Sequence, residues 1–160
     1  MQRLSKEREA TLPYILKEGY EVKSKETELY NCIAFVADDE WRHWWPNDDG
    51  YWPIRPPENT PHDDTIDGFV AAFQTIGYKT CDDQNLEDGY TKIAIYVFDG
   101  KPAHAAKQLP DGRWKSKLGP WEDIEHNTLR AVEDDFLYGS AVVFMRRETN
   151  YSEYADVSKI

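Results

Sequence analysis

The chain is 160 residues long, enough for one domain with a core of its own. Its formal charge of −11 excludes nucleic-acid binding built on phosphate contacts and disfavours anionic membrane surfaces, because both need an excess of Lys and Arg. No apolar run reaches a membrane-spanning length, the charged N-terminus MQRLSKEREA lacks a secretory apolar stretch, and two cysteines without metal spacing predict a reducing cytoplasm.

Residues 1–27 read as a polar lead-in, a charged stretch followed by extended chain anchored by Tyr14, Leu16, Tyr20 and Val22. A helix is predicted over 31–41, with Leu29, Ile33, Val36 and Trp41 near one face and Asn31 as N-cap. Its acidic run Asp38-Asp39-Glu40 would be a solvated face. Residues 41–61 hold five of the nine prolines and four of the six tryptophans, which forbids regular structure and predicts a loop pinned by rings. Just after it, His62-Asp63-Asp64 borders on a metal pair but also makes an ordinary helix start; no metal or other cofactor is expected.

The stripe Ile66, Phe69, Val70, Phe73 and Ile76, closed by Gly77, predicts a helix over 64–77. Cys81 follows in a loop beside two aspartates and reads as structural. Residues 92–98 are apolar on both alternating faces, as in a strand covered on both sides. AHAAKQL and RWKSKL then form a hairpin around Pro110-Asp111-Gly112. One or two short helices are predicted over 120–135, with Pro120 and Asn127 as start signals, and a closing strand over 140–146. The expectation is a single α+β domain over 28–147, helices packed on a mostly antiparallel sheet, with a polar tail over 148–160.

A thiol becomes nucleophilic when its pKa falls, and Cys32 in a first helical turn is placed for that. His104, on a strand among Ala103, Ala105 and Ala106, has room for a partner and a substrate. In the hairpin register, opposed residue numbers sum to 222, so Ser116 lies diagonally beside His104 on one face, while Lys115 and Lys117 point the other way. Ser116 is then a candidate to orient the imidazole.

This order of elements resembles the papain-like superfamily, in its compact bacterial branch of cell-wall amidases and papain-fold toxins. NCIAFVADDEWRHWWP and HAAKQLPDGRWKSKLGPWEDIEH also resemble a group of short bacterial proteins, over most of residues 28–146. The resemblance implies a papain-like fold with Cys32 as nucleophile and His104 as general base. Its third position falls near Ser116, where the family carries Asn, Asp or His; Asp123, Glu122 or His126 are substitutes. Glu26 stands near the place of the usual oxyanion glutamine, so the backbone N–H of Cys32, helped by Asn31, would take that part. Asn31, Trp44, Trp45 and Trp114 are the candidate substrate contacts.

Two readings follow. In the first, the chain is a thiol hydrolase or acyltransferase that attacks an amide or acyl bond of a protein or peptide. In the second, it keeps the scaffold without turnover, as a binding or immunity-type module whose acidic surface takes a basic protein partner.

Overall fold

The computed structural model describes residues 3–47, 50–54 and 64–151. Chain order runs through helices α1 (Lys6–Thr11) and α2 (Ile15–Glu18), strand β1 (Tyr20–Val22), helices α3 (Cys32–Val36) and α4 (Ile66–Gln74), then β2 (Lys79–Cys81), β3 (Tyr90–Phe98), β4 (Lys101–Gln108), β5 (Trp114–Lys117) and β6 (Asp123–His126). A 3-10 turn (Leu129–Val132) and β7 (Ser140–Glu148) complete it. The strands form one seven-stranded sheet, in the order β1-β6-β5-β4-β3-β7-β2. All its pairings are antiparallel, so the fold is α+β as expected.

The expected lead-in is part of the architecture. β1 pairs with β6, and Leu4, Leu12 and Ile15 are buried in the core. Of the anchors read from the sequence, Leu16 is 59% exposed and its neighbour Ile15 takes its place, because α2 turns the chain where extended backbone was expected.

α3 begins where predicted, with the Asn31 side chain accepting from the Ala34 N–H. It ends at Val36, because Asp38 adopts a left-handed φ of 63° that no helix continues. Leu29 and Trp41, assigned to its apolar face, are therefore exposed, and all five helical residues are buried instead. In the loop that follows, Trp44 and Trp52 are buried and Trp45 meets Phe69 edge-on, so rings do pin it. His62, Asp63 and the tail from residue 152 lie outside the described residues. Among those described, no three His, Cys, Asp or Glu side chains gather as a metal site.

α4 occupies the centre of the predicted helix, capped by Thr65. β3 is covered on both sides, with Ile93 to Tyr96 all at 0% exposure. The hairpin register is as derived: Lys107 pairs with Lys115 and Gln108 with Trp114. Gly112, at φ +93°, supplies the left-handed turn residue. The helices expected over 120–135 are instead β6 and one 3-10 turn, and Cys81 lies on the short edge strand β2 rather than in a loop.

Two cores result, one on each side of the sheet. α3 and α4 cover Ile93, Ile95, Ala105 and Met145. Leu4, Leu12, Ile15, Leu129 and Val132 cover Ala94, Tyr96, Ala106, Trp114 and Ile124. Alternation along β4 decides which core each of its residues joins.

Candidate functional site

Cys32 opens α3 and packs with Ala105 in the first core. His104, the residue before Ala105, pairs with Tyr96 and stacks on Tyr138, both members of the second core. Successive strand residues face opposite sides, so the sheet itself separates the thiol from the imidazole. Burial moves both groups away from reactivity. The Cys32 thiol is 7% exposed and pushed up to about 11, with the Ala105 backbone and the Lys117 charge only partly opposing that. The His104 imidazole is fully buried and pulled down to about 3, by desolvation first and by the charge of His126 second. Both His104 ring nitrogens lack a hydrogen-bond partner among the described residues. The ring is instead held by Tyr138, stacked at 4.2 Å, and by the edge of Tyr96 at 5.0 Å.

Each side of the sheet carries its own buried polar group. On the α3 side, Lys117 is fully buried and its ammonium donates to three carbonyls: Thr27 (2.7 Å), Gly119 (2.7 Å) and Trp121 (2.5 Å). It also lies 5.2 Å from the centre of the Tyr30 ring. Burial lowers its pKa, while Asp123 and Cys32 pull it back up. Asp123, opposite Lys117 in the β5–β6 ladder, accepts from the Tyr30 hydroxyl at 2.6 Å. Burial raises the pKa of this carboxyl against the pull of Tyr30 and Lys117. The Tyr30 phenol is held well above its ordinary range, by desolvation and by the hydrogen bond to Asp123.

On the other side, Ser116 and His126 are fully buried and 2.6 Å apart, Oγ to Nε2. His126 Nδ1 lies 2.7 Å from the Thr128 carbonyl, which can only accept. The proton is therefore on Nδ1, and Ser116 donates to Nε2. Burial brings this imidazole down to about 4.

The hairpin thus places Ser116 on the face of His104, as its register requires, but the serine serves His126. Asp123 lies on the Cys32 side and serves Tyr30. Neither reaches the His104 ring nitrogens. Asn31 is a clasp rather than an oxyanion donor: its oxygen accepts from Ala34 and Trp44 N–H groups, and its amide donates to the Trp44 carbonyl. Trp44 is buried and donates to Asp39, Trp45 is half-buried on Phe69, and Trp114 is 3% exposed in the second core. These are packed rings, whereas Trp41, on the same loop, is 85% exposed. Glu26 is bonded to Arg8 of α1, and Glu122 pairs with the same guanidinium. Three surface clefts, of 1090, 830 and 530 Å³, are lined by neither Cys32 nor His104.

Sequence reasoning passed over the role of Lys117, because a lysine flanked by Ser116 and Leu118 carries no local sign of burial. Phe136 and Leu137, adjacent in an acidic loop, are both more than half exposed.

A family model described as "Domain of unknown function (DUF7689)" matches residues 21–146. No curated protein and no solved structure matches the chain. No helix among the described residues is long and apolar enough to cross a membrane.

Proposed function

We propose that this chain, which belongs to the DUF7689 family, is a binding module on a papain-like scaffold that works without turnover and takes a basic protein partner. A cysteine-headed helix packed on a hairpin whose first strand carries a histidine is what supports the papain-like likeness of the scaffold. The observation that carries the reading is the side of the sheet on which each group lies. Acyl transfer needs thiolate and imidazole within hydrogen-bond reach, and here a strand divides them. A thiol raised to about 11 is protonated at neutral pH, and an imidazole lowered to about 3 is too weak a base to take its proton. What remains to act is the surface, and at a net charge of −11 it attracts cations.

The test reads Cys32 alkylation by mass spectrometry against pH, with Cys81 as internal control. Cys32 is expected to stay unmodified in the folded protein and to react only after denaturation, while the half-exposed Cys81 reacts first. Fast alkylation of Cys32 well below pH 8, lost in His104→Ala, would sink this reading in favour of a thiol hydrolase.

A further inference from the structure

Between the 3-10 turn and β7 the chain holds two large apolar side chains in water. Phe136 is 57% exposed and Leu137 51% exposed, yet the loop that carries them is tightly built. Asp134, only 4% exposed, accepts the backbone N–H groups of Phe136, Leu137, Tyr138 and Gly139 at 2.7 to 3.2 Å through one oxygen. Its own N–H donates to the Gly139 carbonyl. Tyr138 turns inward onto His104, and Gly139 lies so close to β3 that a Cβ there would come within 1.9 Å of the Val97 carbonyl oxygen. Two inward anchors and a carboxylate clasp therefore fix the loop, and the Phe-Leu pair is what it presents outward.

The neighbouring surface continues the pattern. Ser140 pairs with Val97, which brings Phe98 (37% exposed) and Val142 (54% exposed) to the same end of the sheet. Asp99 and Asp135 are exposed beside them, and Glu133 accepts from the Ala141 N–H. Lys101, opposite Phe98, is the one exposed cation on the β3–β4 pair and is paired with Asp64 at 3.2 Å. The apolar centre therefore has a rim in which carboxylates outnumber cations, the anatomy of a protein interface. Its rigidity lowers the ordering cost of binding.

We infer that this patch of Phe98, Phe136, Leu137 and Val142 is the docking surface for a basic segment of a partner protein, one whose apolar side chains lie between lysines or arginines. The inference rests on the binding-module reading and names the surface that serves it. Charge complementarity selects the occupant. The apolar centre rewards burial of aliphatic or aromatic side chains, and Asp99, Asp135 and Glu133 favour cations around them.

The probe is a short amphipathic Leu/Lys peptide, titrated at low salt by fluorescence anisotropy beside a Leu-free peptide of equal charge. The wild-type protein is expected to bind the Leu/Lys peptide more tightly. Phe136→Ser with Leu137→Ser should weaken that binding about tenfold, down to the level of the Leu-free peptide. Asp99→Asn with Asp135→Asn should weaken it less, while flattening its dependence on salt. An unchanged affinity in the Phe136/Leu137 double variant overturns the inference and leaves the binding-module reading standing. Sedimentation equilibrium showing a wild-type dimer that the same variant dissolves also overturns it, since a second copy then covers the patch. No binding of either peptide to the wild type counts against the binding module itself.

Discussion

Across β4, β5 and β6 the two sides of the sheet meet the same problem, polar side chains beneath a packed layer, and solve it with opposite chemistry. The α3 side keeps an ion: Lys117 spends its three donors on carbonyls, with Asp123 and the Tyr30 hydroxyl beside it. The other side keeps neutral groups: His126 is satisfied by Ser116 and Thr128, and His104 lies between tyrosine rings with no hydrogen bond among the described residues. An ionic group ties distant segments together, here residues 27, 117, 119 and 121, and fails when either charge is lost. A neutral group tolerates substitution but penalises protonation. The same division places the cysteine and the histidine on opposite sides of the sheet.

The comparison breaks most visibly at Lys117. Lys117→Met keeps the length of the side chain and removes the charge, leaving the Thr27, Gly119 and Trp121 carbonyls without their shared donor and Asp123 without its counter-charge. We expect a loss of about 3–5 kcal/mol, read as a lower urea midpoint with an unchanged slope. A loss below about 1 kcal/mol would show that the three carbonyls find other donors and that the ionic group holds nothing together.

Acid tests the neutral side. The folded pKa values of His126 and His104, about 4 and about 3, lie below the value near 6.5 of an unfolded histidine. Below pH 6.5 the unfolded chain therefore binds protons that the folded chain refuses. The stability these groups contribute is fully present above that pH and falls as pH drops, until the folded imidazoles also protonate near 4 and 3. Each contributes a slope of about 1.4 kcal/mol per pH unit inside the window. Urea midpoints taken from pH 7 to pH 4.5 should fall steeply, and less steeply in His104→Phe. A flat profile over that range would mean that the imidazoles reach solvent.

Much of this division was legible in the sequence and the decisive part was not. Pro110-Asp111-Gly112 fixes the hairpin register, which in turn fixes Ser116 on the His104 face and Lys117 on the other, because both steps are local geometry. The stripe from Ile66 to Ile76 likewise announces α4. β6 was hidden because residues 122–127 mix acidic side chains with one isoleucine; they are a strand because their backbone pairs with β5 on one side and β1 on the other and Ile124 is buried. β1 and β2, three residues each, are held by their neighbours rather than by their own composition. Which face α3 covers is a non-local choice, and it alone decides that Cys32 meets Ala105 rather than His104.

The smallest expected effect sharpens the comparison inside the neutral side. His126→Phe would strand the Ser116 hydroxyl in the core, while the Thr128 carbonyl keeps the Ala131 N–H, at a cost of about 1–3 kcal/mol at pH 7. His104→Phe strands nothing. It removes two buried nitrogens that have no partner among the described residues, and the new ring can stack between Tyr96 and Tyr138 as the imidazole does. Against that gain stands one extra ring atom in a fully packed site, and overpacking costs on the same scale. The two effects nearly cancel, so the urea midpoint at pH 7 should move by no more than about 1 kcal/mol in free energy, in either direction. A loss of 3 kcal/mol or more by this measure would mean that the imidazole nitrogens are bonded in solution. His104 would then be a second satisfied histidine, and the contrast between it and His126 would disappear.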